Sequence, residues 1–159
     1  MKLLRNPGVW SVLLLSILVG SVREFLFINL NYQIDHVQRG TRFSYAHSKV
    51  QAVLSGVDLG TLQFLKWTVA VVFIAAGAAL CSAMDRAMQG SWRHTKAIVL
   101  TFVAVAALAF GLHLLAAVVP RLSTVSIQTL HMLQYPVPVL FVLLAGMLPL
   151  RRSASTGGR

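Results

Sequence analysis

The stretch LQFLKWTVAVVFIAAGAALCSAM, residues 62–84, decides how this chain is read. It carries one charge, Lys66, in 23 residues. At ~1.5 Å per helical residue it reaches across a ~30 Å hydrocarbon core. Residues 97–118 and 127–150 are of the same kind. The whole chain of 159 residues is 57% hydrophobic and 11% charged, with a mean hydropathy of +0.73. That is more apolar surface than one soluble core of this size hides, so bilayer is the expected solvent.

The amino-terminal apolar run, residues 9–22, is short for a span and follows Lys2 and Arg5. With Val19, Gly20 and Ser21 as small residues near its end, it also fits a signal peptide cleaved near Val22. An anchor is preferred, because apolar character resumes after Arg23 and Glu24 as Phe25-Leu26-Phe27-Ile28 and a helix over residues 9–30 spans. Pro7 suits a first turn, where its missing N–H is not needed. Ser16 and Gly20, then Ala75/Ala79, Gly77/Cys81 and Ala78/Ser82, repeat the small-xxx-small spacing that lets helices approach closely in lipid. The expected fold is all-α: a four-helix transmembrane bundle in one domain over residues 1–152, with spans at 9–30, 62–84, 97–118 and 127–150. Residues 153–159 read as a disordered cytoplasmic tail.

The net charge of +10 does not signal nucleic acid, since the 14 Lys and Arg residues lie at the ends of apolar segments rather than in a patch. It orients the spans instead. Lys2, Arg5, Arg86, Arg93, Lys96, Arg151, Arg152 and Arg159 fall on one side, mostly in short segments, against six basic residues on the other. The first side is therefore cytoplasmic and the membrane a plasma (inner) membrane, with both termini inside. Trp92 is suited to anchor that interface. The single cysteine, Cys81, excludes an internal disulfide and reads as packing.

Residues 31–60 form the expected outer loop. Within it Ala46, Val50, Val53, Leu54 and Val57 recur at helical spacing, with Ser44 as N-cap and Gly56 at the end. A short amphipathic helix on the membrane follows, with Arg39, Arg42, Tyr45 and Lys49 as surface contacts beside Phe43. Asp58, three residues before Thr61, is placed to cap the second span.

The most informative pattern is one of depth. Arg23 and Glu24 lie about seven residues inside Leu30, Lys66 six inside Gly60, His113 five before Val118 and His131 five after Ser126. At ~1.5 Å per residue these fall ~8 to 10 Å below one surface, a single polar layer fed by four helices. In the fourth span Thr124, Gln128, His131 and Tyr135 share one stripe, expected to face protein or water, with Pro136 and Pro138 kinking the helix beyond it. The candidate ligand-binding set is therefore Arg23, Glu24, Lys66, His113, Gln128, His131 and Tyr135. Its bland counterpart has the cations snorkelling outward, Glu24 pairing with one of them and the histidines joining helices by hydrogen bonds. Its functional form is a cationic pocket for an anionic or quinone-like lipid headgroup. Haem between His113 and His131 meets a spacing of ~8 to 10 Å between packed helices, too narrow for a macrocycle. A metal on His113, His131 and Glu24 has no supporting motif. No catalytic residue, metal or cofactor is assigned.

The segment Arg23-Glu24-Phe25-Leu26-Phe27, the pair Lys66-Trp67 and the run Leu133-Gln134-Tyr135-Pro136 resemble small four-span membrane proteins associated with exosortase systems. The resemblance covers the order of spans along the chain and implies an accessory role without transferring a catalytic residue. The expected function is thus a non-enzymatic accessory, scaffold or assembly subunit of a membrane complex. Its expected partners are the bilayer and a membrane protein or a second copy. The alternative is a lipid- or quinone-headgroup-binding protein that uses the polar layer.

Overall fold

The structure is a computed structural model that describes residues 6–147. Lys2, Arg5, the last residues of the expected fourth span and the tail with its arginines lie outside the described residues. Within them every regular element is helical: α1 (Pro7–Arg39), α2 (Ser48–Leu54), α3 (Leu59–Gln89), α4 (Thr95–Leu115), α5 (Arg121–Gln134) and α6 (Val137–Met147). The first, third and fourth are each long and apolar enough to cross a membrane; α5 and α6 together make a fourth span if their 62° bend is counted as one broken helix. The chain is a multi-pass membrane protein by this measure.

Helix α1 starts where proline permits. Asn6 caps it, its side chain accepting from the Gly8 N–H at 2.9 Å while its amide donates to the Ala87 carbonyl at 2.6 Å. One residue thus begins α1 and ties it to the far end of α3. The helix then outruns the expectation of a loop from residue 31. It continues to Arg39, where an i,i+4 pair with Asp35 at 2.6 Å supports the last turn and Gly40, at φ +60, closes it. At ~1.5 Å per residue α1 is about 50 Å long, so its polar final turns extend past any ~30 Å apolar layer. The expected loop shrinks to residues 40–58, with α2 inside it.

Helix α2 is also later and shorter than its spacing suggested. Its N-cap is His47, not Ser44. The reason is local: Gln51 Nε2 donates to the carbonyls of Ser44 and Ala46, and the His47 N–H is taken by Asn29 Oδ1, which fixes 44–47 as a bend against α1. Asp58 does cap α3, its carboxylate accepting the Thr61 N–H at 2.9 Å and the Thr61 hydroxyl at 2.6 Å.

Helix α3 is central, packing against α1, α4, α5 and α6. Its buried stripe of Ala78, Leu80, Cys81 and Met84 meets Val9 of α1, Phe102 of α4, Leu133 of α5 and Val139 and Leu143 of α6. Small residues decide the closest approaches. A Cβ on Gly77 would stand 2.9 Å from the Leu133 carbonyl oxygen, and one on Gly20 would stand 3.1 Å from Pro136 Cδ. Both glycines therefore admit the chain around the α5–α6 bend, as small residues do between helices in lipid. At the other end of α3, buried Asp85 accepts from Gln89 Nε2 at 2.6 Å and pairs with His94 at 3.2 Å, which holds the turn into α4.

Candidate functional site

Arg23 organises the polar layer. Its side chain, on α1, is only 2% exposed, so it does not snorkel. A buried guanidinium needs acceptors for its donors, and it finds them where the α5–α6 bend delivers two consecutive side chains. Nε and Nη2 donate to Gln134 Oε1 at 3.2 and 2.9 Å, while Nη1 donates to Tyr135 Oη at 2.9 Å and to Glu24 Oε2 at 2.8 Å. The Tyr135 hydroxyl in turn donates to Glu24 Oε2 at 2.5 Å, closing a ring of three groups. The guanidinium carbon also stands 4.5 Å from the ring centroids of both Phe27 and Tyr135, so its charge is met by two aromatic faces.

Beside this ring opens a cavity of about 340 Å³, walled by α1, α3, α4 and α5. Arg23, Glu24, Lys66, His113, His131, Gln134 and Tyr135 supply its ionisable and hydrogen-bonding groups together with Asn31, and Phe27, Trp67, Ala70 and Leu130 are among its apolar walls. Lys66 is half-buried on α3. The ring of His113 lies edge-on to Trp67 at 5.3 Å and that of His131 edge-on to Tyr135 at 6.3 Å, so each imidazole is set by an aromatic neighbour. Among the described residues no carboxylate pairs with Lys66, whereas Glu24 is committed to Arg23. The cavity therefore holds one matched cation and one unmatched cation.

Of the seven sequence-derived candidates, six line this cavity and Gln128 does not. Gln128 and Thr124 are exposed on α5, because the face that packs inward is the one bearing Ser126, Leu133 and Gln134. Ser126 donates to the Ala109 carbonyl at 2.8 Å and pins that face to α4. The stripe thus points away from the bundle at Thr124 and Gln128, while His131 and Tyr135 line the cavity. Tyr135 reaches the cavity only because it stands past the helix end, in extended backbone at ψ 166. Gln134 is the residue that pattern reading missed. The signal available was the proline that follows two positions later, which ends the helix and turns its last side chain inward.

The surface candidates Arg39, Arg42, Tyr45 and Lys49 are all exposed, away from the cavity. Arg39 pairs with Asp35, Arg42 lies 5.7 Å from the Phe43 ring centroid and Tyr45 is 6.1 Å from the ring of Tyr32. Among the described residues no three His, Cys, Asp or Glu side chains converge as a metal site. Comparison with protein-family models, with curated proteins and with solved structures returns no match for this chain.

Proposed function

We propose that this chain is a plasma-membrane protein, with both termini cytoplasmic, that binds the headgroup of an anionic membrane amphiphile in the cavity between α1, α3, α4 and α5. The observation that carries the reading is Lys66: a half-buried ammonium on the cavity wall with no carboxylate partner among the described residues. A charge in that position is costly unless something of opposite sign meets it. A phosphate- or carboxylate-bearing headgroup does so; a neutral quinone does not. The volume of about 340 Å³ lies within the range of small-ligand sites, and apolar walls with a few convergent polar groups are their usual lining.

Binding, rather than turnover, is what the arrangement favours. The Glu24 carboxylate and the Tyr135 hydroxyl are both occupied by Arg23, and the role of that ring is to hold the cavity wall rigid. An accessory place in a membrane assembly, as the resemblance to exosortase-associated proteins implies, is compatible with such a site. Burial of Val9 and Ser16 against the rest of the bundle supports retention of the first helix as an anchor rather than its removal.

A scaffold reading has one observation in its favour: Ala75 and Ala79, at small-xxx-small spacing, remain exposed on α3. The two readings separate on purification in mild detergent followed by lipid mass spectrometry. Headgroup binding predicts anionic lipid enriched over its share of the membrane, with the enrichment lost in Lys66→Met while helix content is kept. A scaffold predicts a copurifying protein and a lipid profile that Lys66→Met does not change.

A further inference from the structure

The polar cavity does not end blindly. Trp67, Ala70 and Leu130 wall it on one side and, on the other, wall a second space of about 700 Å³ between α3 and α4. That groove runs along α3 from Trp67 to Ala78 and along α4 from Phe110 back to Val99, antiparallel. Each wall runs over 12 residues, 11 steps from end to end, so at ~1.5 Å per step the groove extends ~16 Å, about half of a ~30 Å hydrocarbon core. Its lining is apolar throughout, with only the indole of Trp67 carrying a polar atom.

The groove exists because two helices joined by a short turn fail to close on each other. Alanines of the kind that let backbones meet, Ala75 on α3 and Ala107 on α4, here face open space, while Ala78 and Ala106 pack at the floor of the groove. Helix α4 buries only Phe102 and Ala109 and packs more closely on α5 than on α3. Small residues facing a gap, without a neighbour to fill it, leave room for a thin apolar body. The polar cavity lies toward the outer-loop end of α3 and the groove runs from it toward mid-helix, which is how a lipid is arranged in one leaflet.

We propose that the cavity and the groove are one site: a single anionic lipid places its headgroup among Lys66, His113 and His131 and one acyl chain in the α3–α4 groove, with Trp67 at the junction. The inference rests on the headgroup reading above and adds that the chain is recognised too. It predicts a preference for long-chain anionic lipid over the same headgroup on short chains or free in water.

Trp67 gives the test. In full-length protein with Trp10 and Trp92 replaced by phenylalanine, reconstituted in phosphatidylcholine vesicles, a small fraction of lipid brominated at mid-chain is introduced as phosphatidylglycerol or as phosphatidylcholine. The proposal expects phosphatidylglycerol to quench Trp67 several-fold more than random mixing does, and phosphatidylcholine no more than random mixing. Ala107→Phe and, from the opposite wall, Ala75→Phe each fill the groove and should bring quenching to the random level. Both should keep the preference for short-chain phosphatidylglycerol over short-chain phosphatidylcholine, measured by calorimetric titration in detergent. If wild type shows that short-chain preference but no excess quenching, the groove inference is overturned and the headgroup reading stands. If neither is present, the headgroup reading fails and the groove inference with it. Excess quenching unchanged in both filled variants also overturns the groove placement.

Discussion

Replacing Arg23 by methionine removes the group around which the polar layer is built while keeping a side chain of similar apolar length. The cost follows from its partners. Gln134 is 5% exposed, and its Oε1, which accepts two guanidinium N–H groups, is left buried without a donor, about 1–3 kcal/mol. Two aromatic faces each lose a cation, about 0.5–1 kcal/mol apiece. The ion pair with Glu24 adds to this, because a carboxylate left without its cation at that depth is costly. Arg23→Met should therefore destabilise by at least about 3 kcal/mol. Gln134→Leu, which strands two buried charged donors, should cost about 2–3 kcal/mol. Together the two changes remove both halves of the interaction, and the double variant should fall short of the summed costs by about 1–2 kcal/mol. The same cycle with Glu24→Gln should show coupling of the same sign, since Glu24→Gln removes the charge that Arg23→Met leaves unmatched. Reversible unfolding in mixed micelles, followed by helical circular dichroism, measures all of these. Additivity of Arg23→Met and Gln134→Leu within about 0.5 kcal/mol would refute the buried network.

Gly77→Ala places a methyl 2.9 Å from the Leu133 carbonyl, a backbone atom with little room to move, and should lower stability by about 1–3 kcal/mol in the same assay. Gly111→Ala meets nothing within 4 Å and should be neutral or stabilise α4 by up to about 1 kcal/mol, so equal losses at both positions would contradict the packing. The Thr61 hydroxyl and N–H hold the Asp58 carboxyl below the usual carboxylate range. Its capping contribution is thus complete above the unfolded pKa and is lost as pH falls through the lowered folded value. The protection of the Thr61 amide, taken relative to its intrinsic exchange rate at each pH, should fall in acid in the wild type, and Asp58→Asn should remove that acid step. Reporter insertions at Gly56 and Gly90, which flank α3, should report opposite sides of the membrane, Gly90 cytoplasmic; matching signals would overturn the topology.

The second and third spans were legible because each is a nearly uncharged run of the required length, the first because apolar character resumes after Arg23 and Glu24, and the fourth is one span only if the 62° bend between α5 and α6 is counted within it. Their ends were less so. Helix α1 continues to Arg39 through Asn31, Gln33 and Asp35, residues that hydropathy counts as loop but whose helical state is supported by the Asp35–Arg39 pair and the Gly40 cap. Within the polar layer, depth along each helix brought Arg23, Glu24, Lys66, His113 and His131 to one level without any knowledge of packing. Direction was harder. The stripe of Thr124, Gln128, His131 and Tyr135 was drawn by extending helical periodicity through Tyr135, where the helix has already ended. That extension turned Gln128 inward and passed over Gln134, the partner that Arg23 uses twice. Periodicity holds only as far as the helix does: the kink expected from Pro136 and Pro138 takes the form of a helix end at Gln134, one residue short of the stripe's last member.

The claim on which the functional account depends is that Lys66 awaits an anion. A direct measurement is the ratio of affinities for short-chain phosphatidylglycerol and short-chain phosphatidylcholine, taken by calorimetric titration of the detergent-solubilised protein, wild type beside Lys66→Met. A charge-assisted contact at a half-buried ammonium is worth at least about 1.4 kcal/mol, so the wild-type ratio should be about tenfold or more and should collapse toward unity in the variant. A wild-type ratio near unity, or a preference that Lys66→Met leaves intact, would contradict it.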